Sequence, residues 1–581
     1  MSRLASYIIS LFLLLAAGLA CAQPFNDSWA DRIVIPLASL SAGFVDTQTD
    51  IGLATVESSD PAVVCKVGDS NQRGNTVWYE LTTAAAPVYI ALGTGFSYDN
   101  SVAVFTGSPG AFVNVVGGCN DDGAGAGSLA ARIDGLMLQP NTRYSILVAR
   151  PSPSMEAVTL SFSAALATLR RVSKFTDSFD GTCDADCSLR EAILAGSGAI
   201  DLPAGNYQLS LPGSDNLTGD LDVFNRHVYI YGSGASSTTI SPAAGFVDRI
   251  FDLDPTGTQY GGTFMLRNLT LSGGTTGGSG GCIQLPGNGF AGTPNEYLVL
   301  DNVIISGCTA GIGGGAIANP GAPMLIRQSS VINSTSGSGG GGLRYGQVGS
   351  NVAVQSVILQ STFSGNTANA NFSNGGGGME VQGNLLLLSS TVYGNRARQS
   401  GGGVLVTTSS GRILIDSSTI ANNTANYDDD GSNGIGGGLR VEVASSSAYT
   451  LGNSVLANNT IGVAVPAAQD CHGTTGAVIQ GQGSWIQTNA TCVFAETSHT
   501  LNQPANLGVL ANNGGPTLTA SPLANSPLID RSSALAFCPA ADQRALPRPV
   551  DGDSNGSAVC DIGAVEVSAS DNIFQNGFEG N

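Results

Sequence analysis

The sequence predicts an all-β protein, a right-handed parallel β-helix (a solenoid) preceded by an antiparallel β-sandwich. Three observations predict it. A short motif recurs seven times between residues 268 and 459, glycine-rich turns separate its copies, and residues 24 to about 165 carry alternating strand patterns without the repeat. A fixed short period is typical of a solenoid, in which each unit buries its apolar face only against its neighbours.

The repeated motif consists of Ser or Asn, a β-former, usually a large apolar residue, a free position, a small residue, and Gly, Asn or Thr. Its starts are separated by 34, 28, 31, 29, 28 and 36 residues. We expect the third position of each copy to stack in the interior, one coil above the next. The flanking Asn and Ser should form hydrogen-bonded ladders along the bends. The predicted stack is Thr270, Ile304, Ile332, Phe363, Val392, Ile420 and Leu456.

Glycine runs precede short strand-like stretches, as Gly401 to Gly403 precede Val404-Leu-Val. Glycine at this density excludes helices, and it supplies positive φ and close approach between coils. No P-loop lysine follows any run, so a phosphate cradle is not indicated. A unit of about thirty residues built from strands alone fits one coil of a parallel β-helix.

Composition limits the partners. The net charge is −20 and only 11% of residues are charged, so the surface repels nucleic acid and anionic lipid, and we expect no nucleic-acid partner. Residues 1–22 are predicted to be a secretory signal with a small-x-small site at Ala20-Cys21-Ala22. A lipoprotein signal at Cys21 is the alternative, although Gly18 stands where that signal has Leu. No other apolar run reaches the length of a transmembrane segment.

Ten cysteines remain without Cys21, and they lie as near neighbours along the chain. In an oxidising compartment this spacing predicts local disulfides, and a metal site is less favoured because Cys183 and Cys187 have no second ligand pair near them. The predicted pairs are Cys65–Cys119, Cys183–Cys187, Cys282–Cys308, Cys471–Cys492 and Cys538–Cys560.

Residues 23–165 are predicted to form the β-sandwich, and 166–176 a linker. The succession Asn26-Asp27, Val77-Trp78-Tyr79, Tyr98-Asp99-Asn100-Ser101 and Asn120-Asp121-Asp122 resembles the bacterial pre-peptidase C-terminal family, which implies a non-catalytic accessory domain. Clustered oxygen ligands suit Ca²⁺, and turn formation is the alternative role for the same residues. The candidate calcium ligands are Asp27, Asp99, Asp121 and Asp122.

The solenoid is predicted over residues 177–500, with an N-terminal cap at 183–195. The sequence Cys187-Ser-Leu-Arg-Glu-Ala resembles the CSLREA-type opening segment of secreted bacterial β-helix proteins. Ser188 is placed to cap a helix from Leu189 to Leu194, with Glu191 at the capping-box position. Such a helix would cover the apolar end of the first coil.

Residues 501–567 resemble the choice-of-anchor Q domain, through Leu507-Gly-Val-Leu-Ala-Asn-Asn-Gly-Gly-Pro, Ser526-Pro-Leu-Ile-Asp and Cys560-Asp-Ile-Gly-Ala-Val-Glu. This resemblance implies a surface or secreted fate. The tail at 568–581 contains Ile573-Phe-Gln-Asn-Gly-Phe-Glu, which resembles a short segment on secreted proteins of some Gram-negative bacteria. Secretion, or attachment to the outer surface of such a bacterium, is the predicted location.

The sequence indicates no catalytic or cofactor-binding residue, and Ca²⁺ is the one cofactor considered. It favours a binding or adhesion protein for glycans, matrix or other cells, which uses a regular face of Ser, Thr and Asn. The alternative is a polysaccharide lyase or glycoside hydrolase with a groove on the helix flank. An arginine stripe beside acidic residues could bind uronate carboxylates, although solvated outward positions are the simpler interpretation. That stripe is Arg327, Arg344, Arg412 and Arg440, with Asp301, Asp416 and Asp428 to Asp430 as the acidic residues.

Overall fold

The computed structural model describes residues 23–571, apart from 50, 64–73, 96–98, 122, 124–129, 151–158, 214, 216, 224, 254–261, 286–295, 347–354, 371–374, 408–410, 431–433, 443–448, 533–537 and 570. The predicted signal at 1–22 and most of the C-terminal tail lie outside the described residues. The described chain forms two compact units, which divide after Leu166.

The first unit is the predicted β-sandwich. Its sheets are antiparallel apart from the parallel pairing of Ile33–Ile35 with Thr76–Thr82. The rings of Tyr79 and Phe162, one from each sheet, stack 4.1 Å apart at their centroids. In order across the sheets, the strands are Ile33–Ile35, Thr76–Thr82, Arg143–Ala149, Ser101–Thr106 and Val113–Asn120, then Phe44–Gln48, Leu160–Leu166, Val88–Thr94 and Arg132–Leu138. Short 3-10 turns lie at Trp29–Asp31, Leu37–Ser41 and Ile51–Leu53.

The second unit is a parallel β-solenoid, whose coils contribute strands to three sheets. The long sheet carries two strands from most coils. Its strands are Leu169–Arg171, Gly198–Leu202, Gly205–Leu209, Val228–Gly232, Thr238–Pro242, Gly262–Ser272, Glu296–Ser306, Met324–Arg327, Ser330–Ile332, Gln355–Leu359, Thr362–Ser364, Asn384–Leu388, Thr391–Tyr393, Ile413–Asp416, Thr419–Ala421, Tyr449–Gly452, Val455–Ala457, Trp485–Ile486 and Thr500–Leu501. Leu169–Arg171 pairs with the first coil although it falls within the predicted linker.

The flank sheet has one strand per coil, and we use this name below. Its nine strands are Leu221–Asp222, Phe251–Asp252, Ile283–Gln284, Ile317–Asn319, Leu343–Tyr345, Met379–Val381, Val404–Val406, Leu439–Val441 and Cys471–Gly473. The third sheet comprises Thr275–Thr276, Thr309–Ala310, Thr335–Ser336, Thr367–Ala368, Arg396–Ala397, Thr424–Ala425, Thr460–Ile461 and Ala467–Ala468. Val478–Ile479 and Val493–Phe494 form a separate parallel pair.

The predicted cap helix is confirmed over Leu189–Leu194. The Ser188 hydroxyl accepts from the Glu191 amide, and the Glu191 carboxylate accepts from the Ser188 amide. The buried guanidinium of Arg190 ties this helix to the first coil. It donates to both carboxylate oxygens of Asp177 and to the carbonyls of Gly219 and Asp220. The helix thereby covers the end of the apolar core.

The predicted interior stack is correct from Phe363 onward and wrong in the first three copies. Phe363, Val392, Ile420 and Leu456 are successive register partners and are fully buried. In the earlier coils, the same stack runs through Leu271, Ile305 and Val331. Thr270, Ile304 and Ile332 are therefore half-buried outward positions. The reason is a one-residue offset between the motif and the bend. In the later copies the residue with positive φ directly precedes the motif serine, as Gln360 does, whereas Asn302 is itself the first motif residue and Gln328 lies two residues before its motif.

The serine ladder is confirmed. Each serine of the ladder accepts, through its hydroxyl, the backbone amide of the serine one coil before, at 3.1–3.2 Å, and in the third copy the member is Ser329 rather than the motif residue Ser330. The ladder runs through Ser329, Ser361, Ser390, Ser418, Ser454 and Ser484.

The closing segment folds back across four coils of the long sheet. The Gln543 amide donates to the Thr362 hydroxyl at 2.8 Å, and its oxygen accepts from Thr391 at 2.6 Å. Ala564 donates its amide to the Thr419 hydroxyl at 3.1 Å. These three threonines are at most 1% exposed. The hydroxyl-rich face expected to bind a polymer is thus covered here by the protein's own closing segment.

Four of the five predicted disulfides are confirmed, namely Cys183–Cys187, Cys282–Cys308, Cys471–Cys492 and Cys538–Cys560. Cys65 lies outside the described residues, so its pairing with Cys119 stays a prediction. Disulfides in this number are typical of proteins that fold in an oxidising compartment. No helix in the described part of the chain has the length and hydropathy needed to span a bilayer.

Candidate functional site

The flank sheet presents one outward side chain from the second residue of every strand. The residues on either side of it, such as Leu343 and Tyr345 around Arg344, belong to the apolar core, so alternation directs the middle residue outward. Register partners in neighbouring coils lie about 5 Å apart. We call this row the flank file. Its members are Asp222, Asp252, Gln284, Ala318, Arg344, Glu380, Leu405, Arg440 and His472.

Three carboxylates meet at the first end of the flank file. One oxygen from each of Asp220, Asp222 and Asp252 lies within 4.8 Å of the other two. Nη1 of Arg249 lies 3.2 Å from Oδ2 of Asp220 and also contacts Oδ2 of Asp252. Asp248 accepts the Asp220 amide at 3.2 Å. The first two coils therefore gather acidic groups around Arg249.

Burial and mutual repulsion change how these acids titrate. Desolvation, followed by the charge of Asp248, raises the pKa of Asp220 to about 7. Desolvation, followed by the charge of Asp252, raises the pKa of Asp222 to about 7. Carboxyl groups that hold a proton near neutral pH can act as general acids, while an ionised neighbour can act as a base or nucleophile.

A depression of about 220 Å³ opens beside this cluster along the flank file. Ala318 lies between Gln284 and Arg344 in the register, and its short side chain leaves the space between them. Asp252 is the register partner of Gln284, so the carboxylate cluster begins one strand beyond the groove. Polar groups predominate on the walls, which are Ser279, Gln284, Ala318, Asn319, Pro320, Arg344 and Gly346.

From the far wall of the groove onward, the flank file is also charged. Nε of Arg344 lies 3.5 Å from Oε2 of Glu380, and Oε1 of Glu380 accepts from Gln382 at 2.8 Å. Further along, Arg440 contacts the ring of His472 and donates to the Thr474 hydroxyl at 3.2 Å. Desolvation and then Arg440 lower the pKa of His472. The carboxylate cluster and these arginines lie on one face, separated by the groove.

The predicted arginine stripe divides between two sheets. Arg344 and Arg440 belong to the flank file, whereas Arg327 lies on the long sheet and pairs with Asp301 at 3.3 Å. Arg412 also lies beside the long sheet, where its amide donates to Asn384. Asp416 is a buried residue of the long sheet. The acidic loop at 428–430 forms ion pairs with another part of the chain. Arg398 pairs with Asp428 at 2.5 Å and with Asp430 at 2.8 Å.

The predicted calcium ligands stay a prediction. The carboxylate of Asp27 accepts from the amide and hydroxyl of Thr55, at 2.6 and 2.9 Å, as a turn residue does. In the described part of the chain, neither Asp99 nor Asp121 lies in a group of three acids close enough to share a metal ion. Asp122 lies outside the described residues.

A second group of three acids lies in the closing segment, where Asp530 approaches Asp551 and Asp553. The run Asp551-Gly-Asp-Ser-Asn-Gly556 has the spacing of an oxygen-ligand calcium loop. Asp551 accepts the amides of Asn555 and Gly556 at 3.1 and 2.8 Å. Sequence reasoning missed this group although the spacing was visible. It missed the Asp220–Asp222–Asp252 cluster because those residues come from two coils of unequal length.

No protein-family profile matches the chain, and no curated protein does. Among solved structures, the chain is similar to the catalytic domain of GH87 alpha-1,3-glucanase in complex with nigerose. That comparison has 12% identity, a TM-score of 0.24, and coverage of 79% of this chain and 98% of that one. It is also similar to the Agl-KA catalytic domain, with 12% identity, a TM-score of 0.26 and coverage of 80% and 96%. Values this low carry no activity over to this chain.

Proposed function

We propose that this protein is a carbohydrate-active enzyme that binds an extended polysaccharide along the flank sheet and hydrolyses its glycosidic bonds. The observation that supports this most is the carboxylate cluster, with two pKa values of about 7, next in register to a polar groove. Titratable groups perturbed by burial and by like charges mark candidate active sites when they adjoin a cleft.

Hydrolysis of a glycoside needs one protonated carboxyl and one ionised carboxylate. Asp222 suits the acid, because its pKa is raised and it forms no ion pair with the described residues. Asp252 suits the ionised partner, because Arg249 stabilises its charge. Asp222 and Asp252 are register partners on adjacent strands, about 5 Å apart, which suits the shorter carboxyl separation of the mechanism in which the second carboxylate attacks the sugar directly.

Binding without cleavage is the second candidate. It is favoured by the low exposure of the cluster, since Asp220, Asp222 and Asp252 are 6%, 5% and 9% exposed. On this alternative the acids and Arg249 only join the first two coils to each other, and the groove holds a glycan on the cell surface or in the medium.

The wider assignment is also a proposal. We propose that the chain is a secreted or surface protein with a CSLREA-type opening segment and a choice-of-anchor Q closing segment. The capping box at Ser188, the disulfides and the closing segment folded on the coils support it. The sandwich would then be its accessory domain.

The test is release of reducing ends from a panel of neutral and acidic polysaccharides by the purified full chain. Asp222→Asn and Asp252→Asn should each lower turnover by at least about a hundredfold, the scale of acid–base catalysis. Asp416→Asn is the matched control, because Asp416 is also a buried acid with a raised pKa but lies on the long sheet. Turnover that survives both flank substitutions would refute this site. Glycan binding without any turnover would favour the second candidate.

A further inference from the structure

Arg344 is held against the wall of the groove by the coils on either side of it. Its aliphatic part crosses Gly313, where a Cβ atom would lie only 2.6 Å from Cδ of the arginine. Any side chain at Gly313 would displace the arginine, because carbon atoms pack at about 3.5–4.0 Å. The glycine run of one coil thus sets the path of the arginine in the next.

Glu380 fixes one edge of the same guanidinium. Its side chain is completely buried, and Oε2 lies 3.5 Å from Nε of Arg344 but accepts no hydrogen bond. A Cβ atom at Gly339 would lie 1.8 Å from that oxygen, so a side chain there would displace the carboxylate. Oε1 is held by Gln382. The carboxylate therefore attracts the Nε edge and leaves the outer edge of the guanidinium facing away.

The outer edge of Arg344 is open to the groove. Its side chain is 31% exposed, and neither Nη1 nor Nη2 donates a hydrogen bond to any of the described residues. The other arginines near the flank file are engaged, Arg440 by His472 and Thr474, and Arg249 by Asp220 and Asp252. A guanidinium presents parallel N–H donors that match the two oxygens of a carboxylate.

We infer that Arg344 is a specificity-determining residue that pairs with the carboxylate of a uronic acid unit, and that the ligands of this groove are acidic polysaccharides. The inference rests on the proposed function only in requiring that the groove binds a glycan. The net charge of −20 opposes an anionic ligand at long range. At physiological salt that repulsion is screened beyond about 8 Å, whereas a contact pair persists.

The test is titration calorimetry of the full chain with oligomers of galacturonate, glucuronate and mannuronate, each compared with its own methyl ester. At least one acid oligomer should bind about tenfold or more tightly than its ester, as a paired charged contact gives. Arg344→Gln should abolish that preference. Arg344→Lys should keep only part of it, because lysine retains the charge and loses the paired donors.

Arg327→Gln is the matched control. Its side chain is also 31% exposed and paired with an acid, but it lies on the long sheet, so the preference should be unchanged. Equal affinity for every acid and its ester overturns the inference, as does a preference that survives Arg344→Gln with an unchanged thermal midpoint.

Three further outcomes distinguish the role of Arg344 from the proposed function of the groove. A sulfated glucan could bind as well as the best uronate and lose that binding in Arg344→Gln. This result would overturn the carboxylate assignment, because any anion would then suffice. Cleavage of neutral glycans without an acid preference overturns only the role of Arg344. If no glycan of any kind binds, both proposals fail.

Discussion

The side-chain amide of Asn459 donates to Oδ1 of Asp470 at 2.7 Å, and this carboxylate ends a ladder of buried asparagines. Within the ladder, the amide of each asparagine donates to the side-chain oxygen of the next one at 2.9 Å. The same oxygens also accept the backbone amides of the preceding rungs. The rungs are Asn366, Asn395, Asn423 and Asn459, and all are fully buried. The ladder continues the hydrogen bonding of the coils through the bends.

Asn423→Ala should lower the free energy of unfolding by about 2–4 kcal/mol, because it leaves buried donors and acceptors unpaired on both neighbouring rungs. Thr424→Ala is the control, since Thr424 is only half-buried and should change stability by about 0.5 kcal/mol. Denaturant titration of both variants measures the difference. Equal midpoints would contradict a structural ladder.

The corrected register makes a second prediction. Ile420→Asp should abolish cooperative folding, because it places an unpaired charge in the interior stack, at a cost of at least about 4 kcal/mol. Ile332→Asp should cost only about 1 kcal/mol, since Ile332 is a half-buried outward residue whose register partners are Ser306 and Ser364. Far-UV circular dichroism during denaturation compares them. Similar losses of stability from the two changes would instead support the alignment predicted from the motif, in which Ile332 belongs to the interior stack.

The sequence predicted the features that repeat locally. The period, the capping box at Ser188 and the spacing of cysteines such as Cys282 and Cys308 each depend on residues in one coil or in adjacent coils. The stack slipped by one residue near Ile304 because Asn302 and Ser361 occupy different places in the bend. Motif letters alone do not distinguish a residue with positive φ from the ladder residue that follows it.

The candidate site could not be predicted in the same way. Asp222, Gln284 and Arg344 become members of one file only when the register of coils with unequal lengths is known. The covered threonine face was hidden as well, because Gln543 reaches Thr362 from 181 residues away. The candidate site depends on contacts between coils, whereas the fold depends on the repeat within each coil.

The disulfide between Cys282 and Cys308 joins neighbouring coils and closes a loop with a sequence separation of 26. Replacing both cysteines by Ala should destabilise the solenoid by about 3 kcal/mol, because the unfolded chain gains the conformations that the link excludes. Denaturant titration measures the free energy of unfolding of this variant and of a second variant in which Cys183 and Cys187 are replaced by Ala. That pair spans only 4 residues and should cost less. A larger loss of stability from replacing Cys183 and Cys187 would contradict this account.

Gln543 joins the closing segment to two coils, through Thr362 and Thr391. Gln543→Leu should leave the buried Thr391 hydroxyl without its acceptor and remove the bond to Thr362, whose hydroxyl still donates to Leu518, so the segment should detach locally before the coils unfold. Hydrogen exchange should therefore accelerate in residues 540–547 while the coil strands stay protected. Gln469→Leu is the control, because Gln469 lies at the far bend of the solenoid and contacts Gly436. Unchanged exchange at 540–547 would show that the segment is held by other contacts.

The pH dependence of stability follows from the buried acids. Desolvation, with Glu566 next, raises the pKa of Asp561 to about 8, and burial likewise raises those of Asp220 and Asp222 to about 7. Between the unfolded value near 3.8 and these folded values, the native state binds more protons than the unfolded chain, so stability falls as pH rises. The thermal midpoint should therefore be higher at pH 5 than at pH 9. Asp561→Asn should flatten the upper part of that decline, between pH 7 and 9, whereas a midpoint that rises from pH 5 to 9 would contradict protonated acids in the fold.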